Sequence, residues 1–344
     1  MIPGKQNIFL PAEWHKQDFI QLTWPHENSD WAYMLQEVEE CFINLAKAIS
    51  FRQRLLIVTP CEENTRNTLQ QAGATMENIQ FFTCDTNDTW ARDHAFITLL
   101  GDDGPHYLDF CFNGWGKKFE ASLDNAINRK LHNAGIVKGA YHDLNHFVLE
   151  GGSIESDGKG TLLTTTCCLT APNRNTTDKA LLEEELCRTL RCERVLWLDH
   201  GELIGDDTDG HIDTLARLAP NDTIVYMQYN EEDGEQLDCL KKMEEQLATF
   251  TTKEGKHYRL LSLPSPAPIY DEEGQRLPAT YANFLIMNEA VLYPTYAQPA
   301  NDAQAGDVLK TAFPGYEIVG IDCRALIKQH GSLHCVTMQY PVKQ

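Results

Sequence analysis

Residues 204–217 read IGDDTDGHIDTLAR, and they place Asp206, Asp207, Asp209, His211 and Asp213 within eight positions. Mutual repulsion among so many carboxylates costs free energy unless a cation offsets it, so a cationic ligand is expected here. Calcium is one candidate. The D-x-[DN]-x-[DN]-G spacing of an EF-hand and its terminal glutamate are, however, not both present. If "HID" runs extended, His211 and Asp213 share one face, which sets an acid/base beside a cation anchor.

The same kind of cluster recurs along the chain. Asp93 stands in NDTWARDHAF (87–96), Glu150 in LEGGSI (149–154), Tyr281 in TYANFLIMN (280–288) and Cys335 in HGSLHCVTMQYP (330–341). Asp93, Glu150, His211, Tyr281 and Cys335 are separated by 57, 61, 70 and 54 positions, each beside an expected strand. Five units of about sixty to seventy residues account for the whole length. Arranged around an axis, such strand-helix modules bring the distant clusters into one site.

Apolar periodicity supports those modules. WAYMLQEVEECFINLAKAI reads as a helix, RLLIVTP, IQFFTC, AFITLL and HYLDFCF as strands, and ASLDNAINRKLHNAG as a helix. TLLTTTCCL, RVLWL, TIVYMQY, HYRLLSL, NFLIMN, AVLYP and YEIVGID read as further strands. Helices fall at DKALLEEELCRTL, GEQLDCLKKMEEQLATF and DAQAGDVLKTAF. With no low-complexity linker, one domain over residues 1–344 is expected.

Fifty acidic against 29 basic residues give a formal charge of −21, which repels phosphate backbones and anionic lipid. Nucleic acid and membrane are therefore not expected as partners, whereas a small cation is. No apolar run approaches the roughly 20 residues of a membrane helix, and MIPGKQNIFLPAEW lacks an apolar leader, so the cytoplasm is expected. An odd count of 11 cysteines without C-x-x-C pairs suggests reduced thiols and no zinc site.

Taken singly, the other clusters have two readings each. Trp90 and Asp93 suit a flat cation, its face on the indole and its N–H groups on the carboxylate; Asp93 also suits a local pairing with Arg92 or with a local backbone amide. Glu150 ends an apolar strand before two glycines that allow close approach, or belongs to a solvated turn. Cys335 is a nucleophile or a packed thiol. Its neighbour His334 points to the opposite face of an extended chain, so an activating base has to come from elsewhere, with His211 the candidate.

WARD, EGGSI, GDDTDGHID and GSLHCVTMQYP, in this order, resemble the agmatine deiminase family, related to the bacterial-type peptidylarginine deiminases. PAEW, LTWPH, FNGWG, NRN and TYANFLIMN add matches between residues 11 and 341. The resemblance implies an α/β pentein fold, a five-bladed α/β propeller of ββαβ modules with pseudo-fivefold symmetry. It implies hydrolysis of agmatine to N-carbamoylputrescine and ammonia through a thiouronium on cysteine, without metal or other cofactor. Carried over by motif, Cys335 is the nucleophile and His211 the acid/base; Asp93 and Asp213 grip the guanidinium. Glu150 accepts a hydrogen bond from substrate and aligns His211, Asp207 meets the distal amine, and Trp90 packs along the chain. His334 is left with a structural role.

There are departures. His94 and Ala95 replace an expected glycine-proline, Thr166 an expected acid, and the segment before the cysteine lacks its longer glycine run. These bear on the outer pocket and on substrate choice. Agmatine is the first expectation and peptidyl or free arginine the second. A non-catalytic polyamine binder has no need of Cys335. An even-numbered homo-oligomer is a further expectation.

Overall fold

The apolar segments pair into five small sheets in a computed structural model that describes residues 8–229, 234 and 236–343. The opening MIPGKQN, on which the leader reading partly rests, and Glu235 of one expected helix lie outside the described residues. The first sheet carries β1 (Gln17–Thr23), β2 (Arg54–Thr59) and β3 (Ile79–Thr83), all parallel. Next come β4 (Ile97–Gly101), β5 (Gly104–Cys111) and β6 (Ala140–Val148), then β7 (Ile154–Ser156), β8 (Thr161–Thr165) and β9 (Arg194–Leu198). The last two sheets hold β10 (Ala216–Ala219), β11 (Thr223–Met227) and β12 (Arg259–Leu263), and β13 (Leu285–Met287), β14 (Ala290–Thr295) and β15 (Glu317–Asp322).

The pairing repeats from sheet to sheet. In each of these four, the first two strands form an antiparallel hairpin and the third returns parallel to the second after a helical crossover. Hairpins close on residues that tolerate positive φ: Asn221 and Asp222 before β11 stand at 61° and 53°. In the third module the crossover helix Lys179–Leu190 starts where the Asp178 side chain accepts from the amides of Ala180 and Leu181. Leu182, Leu186 and Leu190 make its buried stripe at fourfold spacing. β16 (Thr337–Pro341) supplies the missing hairpin strand of the first sheet, antiparallel to β1.

The modules follow one another around a ring. The helix Leu237–Leu247 rests on β9 of the preceding module, Pro299–Ala312 on β12, and Leu35–Ser50, near the start of the chain, on β15 near its end. This is the five-bladed α/β propeller of the pentein fold. The five-unit spacing of the sequence is thereby accounted for. Two local readings need correction. TLLTTTCCL is strand only to Thr165, because residues 166–169 close into a helical turn. "HID" is not extended: Ile212–Thr214 form a 3-10 turn, fastened by the Thr214 hydroxyl donating to the His211 carbonyl. Among the described residues no helix is long and apolar enough to cross a membrane.

Candidate active site

Each module delivers its polar cluster at the same place, just ahead of the first strand of its hairpin. Asp93 sits on the short helical turn Ala91–His94 before β4, and Glu150 follows β6 before β7. His211 and Asp213 precede β10, Asn283 precedes β13 and Cys335 precedes β16. From the fifth module it is Asn283 rather than Tyr281 that reaches the site; the Tyr281 hydroxyl turns away to Asp302. Asp93, Glu150, His211, Asp213 and Cys335 are all buried, none more than 5% exposed.

The structure brings these side chains together. Asp93 does not pair with Arg92: its Oδ1 accepts from the Gly152 amide and its Oδ2 from Trp115 Nε1, each at 2.9 Å. His211 Nδ1 stands 3.6 Å from Asp93 Oδ1, and Cys335 Sγ stands 3.8 Å from Asp213 Oδ2. Gly152 is needed for this approach. A Cβ there would lie 2.6 Å from His211 Nδ1, 2.8 Å from Asp93 Oδ1 and 3.1 Å from Asp213 Oδ2, so the glycine pair does serve close packing. Among the described residues, Asp213 Oδ1 and both His211 ring nitrogens have no hydrogen-bond partner.

Glu150 has a partner that the sequence did not disclose. Arg174, from the NRN stretch, donates Nε to both Glu150 oxygens at 3.0 and 3.1 Å, and both side chains are fully buried. Arg174 also reaches Asp209 Oδ2 at 2.6 Å and the Thr208 carbonyl at 2.7 Å, tying Glu150 to the acidic loop. Glu150 is thus held by Arg174, and no hydrogen bond joins it to His211.

His334 lies on a turn rather than on an extended strand, and its side chain reaches Asp213. Its Nδ1 donates to Asp213 Oδ2 at 2.7 Å and its Nε2 faces Glu13 Oε2 at 2.9 Å. Arg217 Nη2, a donor, also stands 3.0 Å from that Nε2. Arg217 completes the group, donating to Glu13 at 2.6 Å and to Glu155. The Asn283 side-chain oxygen accepts from the His334 amide at 2.8 Å and lies 3.4 Å from Cys335 Sγ, fixing the turn that presents the thiol.

Cys335 lines a pocket. Trp90, Trp115 and Phe119 line its walls, and Asp30, Asp88 and Asp207 contribute acidic groups. Asp88 is wedged between indoles, accepting from Trp31 Nε1 at 2.8 Å and Trp90 Nε1 at 2.9 Å. Lys118 is anchored across the acidic loop, donating to the Asp207 carbonyl and to Asp209 Oδ1. Two of the three sequence departures lie outside the lining. His94 is buried against the Thr23 hydroxyl, and Thr166 donates to Asp199. The third, the segment at His330 and Gly331, does line the pocket.

The electrostatics express a deficit of positive charge. Burial raises the Cys335 thiol well above the ordinary thiol value, and Asp213 and Asp93 push the same way. Burial, then the charges of Asp213 and Glu150, lift Asp93 well above the carboxylate range. His211 is lowered to about 3 by burial, so the ring is neutral at pH 7. Asp213 is the exception: burial raises it, but His334, His211 and Arg217 together hold it below the ordinary value. Two clusters have ligand-type atoms within 4.8 Å of one another, Glu150–Cys168–His211 and Glu13–Glu155–His334. In both, the carboxylates already face a guanidinium. A planar cation with several N–H donors suits Asp213 Oδ1 and the edge of Asp93.

Comparison with known proteins agrees with this chemistry. The family model of the Porphyromonas-type peptidyl-arginine deiminase matches residues 9–341. A Yersinia pseudotuberculosis protein provisionally named agmatine deiminase is 31% identical over 362 aligned positions, covering 98% of this chain and 97% of its own. A solved Porphyromonas gingivalis structure, provisionally named arginine deiminase, superposes with a TM-score of 0.92 at 49% identity, covering 99% of this chain and all of the other. A cysteine-to-serine variant of C. jejuni agmatine deiminase with substrate bound gives 0.89 at 37% identity over 99% and 98% of the two chains. The chain belongs to the Porphyromonas-type peptidyl-arginine deiminase family, hydrolases that act on guanidino C–N bonds.

Proposed function

We propose that residues 1–344 form one catalytic unit that is an agmatine deiminase, hydrolysing agmatine to N-carbamoylputrescine and ammonia. The observation that carries this reading is the lining of the Cys335 pocket, in which the aromatic rings Trp90, Trp115 and Phe119 stand among the carboxylates of Asp93, Asp207, Asp88 and Asp30. Such a lining suits a thin aliphatic chain with a guanidinium at one end and an ammonium at the other.

In this reading Asp93 and Asp213 take the guanidinium N–H groups and the Trp90 ring lies along the chain. The bound cation offsets the carboxylates that raise the Cys335 thiol, so thiolate forms chiefly in the complex. Sulfur attacks the guanidinium carbon. His211 begins as the neutral base, carries a proton to the leaving nitrogen, and the C–N bond breaks to release ammonia. The thiouronium left on Cys335 is then attacked by water, which His211 deprotonates; the C–S bond breaks to give the ureido product and free thiol. Glu150, anchored by Arg174, accepts a hydrogen bond from the substrate.

Peptidyl or free arginine is the second reading, favoured by the family's name and by that of the P. gingivalis relative. Ammonia and ureido product are measured with agmatine, free arginine and an arginyl peptide. Highest kcat/KM on agmatine supports the first reading, and a preference for either arginine compound overturns it while leaving guanidine hydrolysis in place.

A further inference from the structure

His330 is unusual on three counts. Its φ of 64° lies in the left-handed region, which glycine occupies freely and a β-carbon-bearing residue adopts at a cost. Residues held so at a pocket wall are often there for their side chain. The imidazole lines the same pocket as Asp207, Asp88 and Cys335. Finally, its Nδ1 stands 2.8 Å from the Gly205 carbonyl oxygen, an acceptor only. That contact places the proton on Nδ1, so Nε2 presents a lone pair when the ring is neutral. Nε2 makes no hydrogen bond within the described residues.

The Gly205 carbonyl that orients the ring opens the same loop that carries Asp207, and both side chains line the one pocket. Lys118 is committed to Asp209 and to the Asp207 carbonyl. An acceptor nitrogen beside a carboxylate makes a two-point seat for an alkylammonium, which has three donors to distribute. A carboxylate at the same place would meet an acceptor lone pair and Asp207 together.

We infer that His330 is a specificity-determining residue of this chain, its Nε2 accepting a hydrogen bond from the distal ammonium of the substrate beside Asp207. The inference rests on the agmatine reading and deepens it. It also accounts for a histidine standing where the resemblance expects a glycine-rich run.

His330→Gly removes the acceptor while relieving the left-handed backbone, so the fold is retained. Wild type, H330G and D207N are compared on agmatine and on n-butylguanidine, which has the same chain length without the amine. The expected result is that H330G lowers the agmatine-to-butylguanidine ratio of kcat/KM about tenfold, the worth of one hydrogen bond to a charged group, mainly through KM for agmatine. The melting temperature holds or rises. A ratio unchanged in H330G but reduced in D207N overturns the role of His330 and leaves the agmatine reading intact. A wild type that does not discriminate between the two compounds overturns both.

Discussion

Replacing Asp213 by Asn should make Cys335 more reactive even as it ends turnover. The thiol sulfur lies 3.8 Å from Asp213 Oδ2, where two unit negative charges repel by about 4 kcal/mol at an effective dielectric constant near 20. His334 already draws on part of that carboxylate charge, at 2.7 Å, so the relief on removing it is smaller than the bare Coulomb value. A tenfold change corresponds to about 1.4 kcal/mol, and the expected gain in alkylation rate at pH 8 is at least about tenfold. The sign follows from the direction of the shift. A thiol raised above its ordinary value is protonated at neutral pH, so alkylation of the wild type climbs with pH past about 9. Without the neighbouring anion that climb moves to lower pH. The assay is iodoacetamide labelling of ligand-free protein across a pH series, quantified by mass spectrometry on the peptide holding Cys335. The exposed Cys61 and Cys167 serve as internal references. Equal or slower labelling in D213N at every pH would refute the account of what keeps the thiol dormant.

Four further outcomes follow from the geometry. Cys335→Ala should lose turnover while its melting temperature and agmatine binding by calorimetry stay near wild type; residual turnover above about a thousandth would remove the covalent mechanism. Arg174→Gln strips Glu150 of its buried cation, so the carboxyl, already raised by burial, ionises only at still higher pH. The acidic limb of the kcat/KM profile should then shift to higher pH and the melting temperature should fall; an unmoved limb counts against a role for ionised Glu150. Asp207→Asn should weaken agmatine about tenfold more than n-butylguanidine, and equal losses on the two would leave Asp207 a solvated loop residue. Gly152→Ala places a methyl against His211 and Asp93 and should abolish turnover, which a simple progress curve checks.

The sequence disclosed those parts of the site whose chemistry is concentrated locally. Carboxylates crowded at 206–213, a glycine pair after Glu150 and a late cysteine each imply something unusual within a few residues, and their spacing exposed the five modules. The charges that hold them in place were not legible. Glu13 meets His334 across 321 positions and Arg217 across 204, and such pairings leave no periodic trace. Arg174, Asn283 and Trp115 stood in motifs whose presence was noticed but whose partners were not. Strand and helix readings failed where elements are shortest. β7 spans three residues, and the Thr–Cys run after β8 has strand-forming side chains yet turns into a helical cap. For "HID", alternation suggested a strand, and the hydroxyls of Thr208 and Thr214 decided otherwise by satisfying the His211 backbone within a turn.

The pairing of β16 with β1 bears on how the protein emerges from the ribosome. Gln17 is matched to Pro341, so the first strand to be synthesised waits for the last before its sheet is complete. Cys335 lies in the turn that leads into that final strand. Four modules are able to pair their own hairpins and crossovers as they appear, because those contacts are local; the first cannot. Until the closing segment arrives, a nascent chain therefore carries Asp213 and Glu13 without their contacts to His334. On the proposed mechanism nothing is hydrolysed during that interval, and stability and reactivity arrive together with the same dozen residues.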